Sequence, residues 1–297
     1  MRHPLRTLLI VLAFVVVAAT GCASFDEWQR NAIFQPSAAS AHFPIDAAPS
    51  EVEAFDLHHP NGDVVHCWYM PIEQKGAPTV LFFHGARRNL VGNVSRIEHW
   101  NSLGFNVLAF DYRGFGRSTT LLPSEKTALA DASLVVEELK RREPDPGKRF
   151  LYGYSLGGAL AIAMAAEQNG FAGVIVESTF TSIADIVRQS KWGWVPGLPW
   201  LVTQDFDSAD RIRKVNEPLL FIHGTMDNVV PHTMSDELLA DAVAVPAEYK
   251  HVVKIEGGRH YGAIWYGAEI YDRAVRDFTR TAGQAGVLGA GVSAAVH

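Results

Sequence analysis

The sequence predicts an α/β fold with a mostly parallel eight-stranded sheet, helices on both faces and a small helical cap. From residue 79 onward, short apolar runs alternate with longer stretches of helical periodicity. Such alternation requires a mostly parallel sheet covered on both faces, because consecutive parallel strands need a crossover. An upstream hairpin adds two strands, and residues 178–215 are too long for a simple crossover, which predicts the cap. After the hairpin, the predicted strands are 79–83, 106–110, 149–153, 173–176, 218–223 and 251–255, and the predicted helices are 93–103, 124–143, 156–168, 233–242 and 265–280.

The segment before the alternating region predicts a helix and then the hairpin. Aromatic and aliphatic residues within 22–50 are spaced as a short amphipathic helix, and three prolines follow them. We expect this segment to be a tether that also covers a sheet edge. Strands at 51–59 and 64–70 are joined by Pro60-Asn61-Gly62-Asp63. This sequence is a strong signal for a hairpin turn.

The length and composition predict one domain, over residues 51–280. A chain of 297 residues with 48% hydrophobic content can bury a large single core. The net charge of −6 argues against a nucleic-acid partner, since phosphate binding needs clustered Lys and Arg. The two cysteines, Cys22 and Cys67, offer no zinc-type spacing, and we expect neither a metal nor another cofactor. Residues 281–297 are rich in Gly and Ala and predict a disordered tail.

The N-terminus is similar to a bacterial lipoprotein signal. Arg2 and Arg6 precede an apolar run at 8–19, and small residues then lead to Cys22. The pattern predicts removal of residues 1–21 and acylation of Cys22, which would hold the protein at a membrane of the cell envelope, facing the periplasm. Ala after the cysteine favours the outer membrane. The alternative is an uncleaved transmembrane anchor, although an apolar run of 12 residues spans only about 18 Å of a hydrocarbon layer about 30 Å thick.

A strand-turn-helix pattern at 150–158 predicts an exposed nucleophile. An apolar strand leads into a G-x-S-x-G turn with Ser155 at its centre, and small residues begin the following helix. A serine hydroxyl becomes a useful nucleophile when a strained turn holds it exposed beside a base. The positive end of the helix dipole lies near Ser155, where it would stabilise a developing oxyanion.

Later strands deliver candidate partners for Ser155. One apolar strand leads to Asp227 at its carboxyl end, which is where catalytic groups gather in such sheets. The last predicted strand ends in a glycine-rich loop that presents His260. The order nucleophile, acid, histidine is the order in which a G-x-S-x-G serine meets its partners along the chain. Glu177 also follows a strand and is the alternative acid.

Four motifs in register resemble those of alpha/beta-hydrolases, and the resemblance covers roughly residues 50–280. Two of them are the nucleophile turn and the acid loop at 223–227. The others are a strand ending in His-Gly at 81–86 and a glycine-rich turn at 110–118. The resemblance implies the alpha/beta-hydrolase fold with eight strands and a cap insertion that covers the active site.

The resemblance also implies roles for individual residues. The backbone N–H groups of Ala86 and Leu156 would form an oxyanion hole. Asp227 would be the acid, and Glu177 would instead anchor the cap through hydrogen bonds. His223, which stands in a His-Gly turn, is interpreted as a structural residue.

Within the superfamily the chain is similar to small-cap serine hydrolases that include eukaryotic membrane-associated depalmitoylating thioesterases, and more distantly to the prolyl oligopeptidase catalytic domain. Those thioesterases usually carry Asn where this chain has Ala86. We expect a serine hydrolase that cleaves carboxylic esters or thioesters of small molecules or lipids through an acyl-enzyme intermediate. The alternatives are a serine peptidase of prolyl oligopeptidase-like type and a non-catalytic envelope lipoprotein that uses the scaffold for binding.

The predicted cap contains an apolar stretch at 191–200 with three tryptophans. Trp192, Trp194 and Trp200 are candidates for substrate binding, either as an acyl-chain pocket or as a surface that enters the bilayer. The alternative is that they pack the cap onto the domain, since large aromatic residues more often fill cores than bind ligands.

Overall fold

The computed structural model describes residues 23–36 and 48–293, with side chains described as far as residue 283. A single eight-stranded sheet forms its centre, in the spatial order β1-β2-β4-β3-β5-β6-β7-β8. β2 pairs antiparallel with β1 and β4, and the other pairings are parallel. The predicted fold class is therefore confirmed. The strands are β1 (Glu53–His58), β2 (Val64–Met70), β3 (Thr79–Phe83), β4 (Asn106–Phe110), β5 (Arg149–Tyr154), β6 (Gly173–Glu177), β7 (Leu219–Gly224) and β8 (Lys250–Ile255).

Helices cover both faces of this sheet. They are α1 (23–34), α2 (Val94–Ser102), α3 (Glu125–Arg142), α4 (Leu156–Glu167), α5 (Ile183–Gln189), α6 (Ser208–Ile212), α7 (Thr233–Asp241), α8 (Ala263–Tyr266) and α9 (Ala268–Ser293). In β3, Leu81 and Phe83 join the core shared with α3 and α4, whereas Val80 and Phe82 join the core shared with α2 and α9. Because alternate side chains enter opposite cores, a strand covered on both faces is a continuous apolar run in sequence.

The C-terminal helix differs from the prediction. The sequence predicted a helix at 265–280 and a disordered tail at 281–297, whereas α9 continues to Ser293. Ala282 is buried in the same core as Phe278, one turn earlier. The face of α9 that packs on the sheet thus extends into the tail, and alanine favours the helix. The prediction of disorder is corrected for 281–293, and residues 294–297 lie outside the described part of the chain.

The interval 178–215 forms a small cap of two short helices, α5 and α6, and a 3₁₀ turn at Leu198–Leu201. The N-terminal helix α1 packs on this cap. Phe34, at the end of α1, is fully buried and makes an edge-to-face contact with Phe206. Gln29 donates to the carbonyl oxygen of Leu201 at 2.8 Å. The predicted amphipathic helix is present. Its partners are the cap and the loops that contain Arg87 and Pro123, rather than a sheet edge.

Two predictions fall on undescribed residues. Residues 1–22, which contain the predicted signal and Cys22, and residues 37–47 of the predicted tether lie outside the described part of the chain. Among the described helices, none is both long and apolar enough to cross a bilayer. Cleavage and acylation at Cys22 therefore stay predictions.

Candidate active site

Ser155 stands on a strained turn between β5 and α4. Its φ of 53° and ψ of −119° are rare for a residue with a side chain. A Cβ atom on Gly153 would lie 2.2 Å from the Gly157 carbonyl oxygen, and one on Gly157 would lie 2.1 Å from the Phe83 carbonyl oxygen. Both positions need glycine for this reason, and the turn packs directly against the end of β3.

The structure brings Ser155, His260 and Asp227 together at the carboxyl ends of the strands. His260 Nε2 lies 3.0 Å from Ser155 Oγ, and His260 Nδ1 lies 2.7 Å from Asp227 Oδ2. Since an ionised carboxylate can only accept, we assign the ring proton to Nδ1, which leaves Nε2 to accept from the serine hydroxyl. His260 is 2% exposed, so water has little access to these hydrogen bonds. The arrangement can move a proton from the hydroxyl to the imidazole.

The Asp227 carboxylate is surrounded by donors. Val229 and Val230 donate backbone N–H groups to Oδ1 at 2.8 and 2.9 Å. Oδ2 accepts from His223 Nε2 at 3.1 Å as well as from His260. Burial alone would raise the pKa of Asp227, but the hydrogen bonds from the two histidines outweigh burial and hold the pKa below its ordinary value. The carboxylate therefore stays ionised around neutral pH.

His223 supports Asp227, a role that the sequence analysis did not give it. Its Nε2 faces both Asp227 Oδ2 and the Val230 carbonyl oxygen, each at 3.1 Å, so we assign the ring proton to Nε2. Its Nδ1 then accepts from the Ser235 hydroxyl at 2.6 Å. The sequence analysis interpreted His223 as structural and did not predict its hydrogen bond to the acid. The sequence signal for that bond was a histidine near the end of a buried strand, four residues before Asp227.

The loop after β3 lies against the start of α4, where the sequence predicted the oxyanion hole. A Cβ atom on Gly157, in the first turn of α4, would lie 2.7 Å from the His84 carbonyl oxygen, which shows how closely the two segments approach. Within residues 23–36 and 48–293, neither the Ala86 N–H nor the Leu156 N–H has a hydrogen-bond acceptor. Both groups are available to a ligand. Their role in binding an oxyanion stays a prediction.

Glu177 lies below the site and belongs to a buried network. Its Oε2 accepts from Arg96 and Tyr152 at 2.7 Å and from Tyr271 at 3.1 Å. These partners come from α2, β5 and α9, so the expectation that Glu177 anchors the cap is wrong. Arg96 also donates to the Tyr261 carbonyl oxygen at 3.4 Å, in the loop that carries the site histidine. The network supports that loop from beneath.

The three tryptophans predicted to bind substrate are exposed on the cap. Trp192, Trp194 and Trp200 are 55%, 77% and 87% exposed, so they do not pack the cap onto the domain. One cavity of about 400 Å³ extends from α5 to Asp227, and another of about 200 Å³ lies beside Tyr154. None of the three tryptophans lines either cavity.

Possible metal or redox ligands are scattered. In the described part of the chain, no group of three or more His, Cys, Asp or Glu side chains could hold a metal ion. Cys67 is buried with a free thiol, and burial raises the pKa of that thiol well above its usual value. The expectation that the protein uses no cofactor stays a prediction.

Known proteins resemble this chain in sequence and in fold. A model of the serine aminopeptidase S33 family matches residues 74–205. An uncharacterised protein of Mycobacterium tuberculosis is 33% identical over 282 residues, covering 92% of this chain and 96% of that protein. The alpha/beta hydrolase domain-containing protein WAV2 of Arabidopsis thaliana is 27% identical over 276 residues, covering 86% of this chain and 88% of that protein.

Solved structures share the fold at lower identity. An esterase of Pyrococcus furiosus superposes with a TM-score of 0.62 at 19% identity, covering 78% of this chain and 92% of that chain. At this identity the likeness supports the architecture alone. Together with the sequence relatives and the strained serine turn, it identifies the chain as a member of the alpha/beta-hydrolase superfamily, in one family with the mycobacterial protein.

Proposed function

We propose that the protein is a serine hydrolase that cleaves carboxylic ester or thioester bonds. The observation that carries the proposal is the continuous series of hydrogen bonds from Ser155 Oγ through His260 to Asp227, at 3.0 and 2.7 Å. A serine on a strained turn, beside an imidazole with an ionised carboxylate behind it, is the arrangement that acyl transfer through a covalent intermediate requires.

In the first half-reaction, Ser155 Oγ attacks the acyl carbonyl carbon while His260 Nε2 takes the hydroxyl proton. Asp227 accepts from Nδ1 and stabilises the imidazolium that forms. The N–H groups of Ala86 and Leu156 donate to the oxyanion, and one such donor contributes about 3 kcal/mol in comparable sites. His260 then protonates the leaving alcohol or thiol, and the acyl-enzyme remains.

In the second half-reaction, a water molecule attacks the acyl carbonyl carbon while His260 accepts its proton. The tetrahedral intermediate collapses, the carboxylic acid leaves and Ser155 regains its proton from His260. These steps need side chains, backbone amides and water.

Replacement of the nucleophile tests the proposal directly. Ser155→Ala should abolish labelling by a fluorophosphonate probe and reduce turnover of short-chain p-nitrophenyl esters by about 10³-fold or more. Ser102→Ala, at an exposed serine far along the chain from the site, is the control and should label as the native protein does. Undiminished labelling of Ser155→Ala would reject Ser155 as the nucleophile.

A second pair of variants identifies the acid. Asp227→Asn should reduce kcat strongly, because the amide cannot hold the same imidazole tautomer or stabilise the imidazolium. Glu177→Gln should mainly reduce stability, since Glu177 pairs with Arg96 in the core. A severe kcat loss confined to Glu177→Gln, in protein that remains folded, would show that the acid is Glu177.

A peptidase is the second candidate, because the family model that matches residues 74–205 describes a serine aminopeptidase. An amide needs a protonated leaving amine, which His260 can provide in the same cycle. A panel of aminoacyl and peptidyl amides against a panel of acyl esters and thioesters separates the two activities. Turnover of amides alone would replace the ester proposal.

We further propose that the protein is an envelope lipoprotein, held at a membrane by acyl groups on Cys22 and facing the periplasm. The sequence pattern before Cys22 supports this location. Labelled palmitate should enter the native protein in a bacterial host and be lost in Cys22→Ser. Membrane association without palmitate incorporation would favour the uncleaved anchor instead.

A further inference from the structure

One face of the molecule exposes a group of large apolar side chains from two separate segments. We call this group the aromatic rim: Phe25, Trp28, Trp192 and Leu201. Their exposed fractions range from 38% for Phe25 to 64% for Trp28, and all four line one groove. The first two residues lie on α1 and the others lie in the cap, so folding brings them to one surface.

The aromatic rim surrounds a groove between α1 and the cap. The groove has a volume of about 230 Å³ and an almost wholly apolar lining that includes Phe25, Trp28 and Trp192. Polar contacts fix its two walls together. Besides the Gln29 contact with Leu201, the Thr203 hydroxyl donates to Asp26 at 2.7 Å. The rim is therefore a defined surface of the folded domain.

The sequence just before the rim indicates what covers this surface. The described chain begins at residue 23, and the sequence before it holds Cys22 and the apolar run at 8–19. Phe25 and Trp28 follow Cys22 by only three and six residues. If the chain meets lipid at Cys22 or through the apolar run, as proposed above, two residues of the rim lie within six residues of the acylation site.

We propose that the aromatic rim seats the protein in the surface of a lipid bilayer. Tryptophan suits the membrane interface, because its ring is apolar and its N–H can still reach water or headgroups. The rim residues are aromatic or aliphatic, so apolar insertion should dominate over attraction to anionic lipid. The surface should accordingly enter bilayers of zwitterionic phosphatidylcholine.

A membrane-seated rim also indicates a substrate class. This step rests on the proposed serine hydrolase function. Helix α5 separates the groove from the cavity that reaches Asp227: Val187 lines the groove, Gln189 lines the cavity and Ser190 lines both. A bilayer that covers the rim would therefore lie one helix away from the cavity beside Asp227. The substrate class that fits is a long-chain acyl ester or thioester embedded in the membrane.

Fluorescence quenching by lipid tests the seating without any catalysis. The full chain is reconstituted into phosphatidylcholine vesicles whose acyl chains carry bromine, which quenches tryptophans that enter the bilayer. Trp28→Phe/Trp192→Phe keeps the rim apolar, removes its two fluorophores and should lose about half of the quenching seen in the native protein. Trp265→Phe is the matched control, since Trp265 is 51% exposed but lies outside the rim, and it should lose little.

Quenching that is the same in the native protein and in Trp28→Phe/Trp192→Phe would overturn the proposal, and would leave a protein partner as the occupant of the rim.

Activity gives a separate readout. Phe25→Glu/Trp28→Glu, at two exposed rim positions on α1, should reduce hydrolysis of a long-chain ester in vesicles by about tenfold and leave hydrolysis of a soluble short-chain ester unchanged. If the variant hydrolyses both substrates at the same rates as the native protein, the link to membrane substrates is overturned. Absence of any hydrolysis by the native protein would reject the proposed function, whereas the quenching result would still decide the seating.

Discussion

At the scale of single residues, the site depends on keeping one buried carboxylate ionised. The Asp227 carboxylate is buried, and burial by itself favours the neutral acid. Hydrogen bonds from two histidines and two backbone amides reverse that preference. A hydrogen bond to a charged group contributes about 1.5 to 3 kcal/mol, so the loss of one donor should be measurable in stability.

His223→Phe is expected to reveal this contribution. The phenyl ring keeps much of the volume but removes the donor to Asp227, and the free energy of unfolding at pH 7 should fall by about 2 kcal/mol. The folded-state pKa of Asp227 is depressed, so the stability it contributes is present above its unfolded pKa near 4 and is lost as the pH falls through the folded value. The difference in the free energy of unfolding between the variant and the native protein should accordingly become smaller below about pH 4.

Urea denaturation at several pH values measures this difference. His58→Phe, at an exposed position on β1, is the matched control and should leave the stability nearly unchanged. A His223→Phe variant as stable as the native protein at pH 7 would contradict the role assigned to the histidine.

At the scale of secondary structure elements, the turn between β5 and α4 is a junction of closely packed backbone. Gly157 allows the first turn of α4 to approach the backbone at the end of β3. This approach aligns the serine turn with the loop that carries Ala86. Close backbone packing leaves no flexible side chain to move aside, so the junction should tolerate no added atom.

Gly157→Ala tests this. The new methyl group would meet the Phe83 carbonyl oxygen at 2.1 Å, and we expect a loss of about 3 kcal/mol or more, since only backbone movement can relieve the overlap. Gly283→Ala is the control, because the nearest atom to its new methyl group is 4.0 Å away. In that helical position alanine should stabilise by about 0.5 to 1 kcal/mol. Equal melting temperatures of the two variants in thermal denaturation would contradict the packing argument.

At the scale of the whole molecule, α1 is part of the domain although it lies upstream of the predicted catalytic region. Phe34 is fully buried in the core that also contains Phe206 of the cap and Phe83 of β3. The N-terminal helix thus connects the cap to the loop end of the sheet.

Phe34→Ala should lower the free energy of unfolding by about 3 to 5 kcal/mol, because it removes a large buried ring and leaves a cavity. Phe25→Ala removes the same ring from an exposed position on the same helix and should cost less than about 1 kcal/mol. Denaturant midpoints of the two full-length variants compare them directly. Equal destabilisation would mean that α1 is not part of the cooperative core.

The sequence by itself determined the fold class, the order of the strands and helices and the residues 155, 227 and 260 as candidates for one site. These inferences were possible because they depend on local signals: apolar runs for buried strands, glycines around a strained serine, and polar residues at strand ends. The same local signals wrongly predicted disorder from residue 281, whereas Ala282 is buried and α9 continues to Ser293.

Only the tertiary structure decided which polar groups share a partner and which apolar groups face outward. It joined His223 to Asp227 and Glu177 to Arg96, a pair separated by 81 positions in the chain. It also placed the cap tryptophans on the surface rather than in the core. Hydrogen bonds and burial of this kind arise between segments that are distant in sequence, and their geometry exists only once the sheet has brought those segments together.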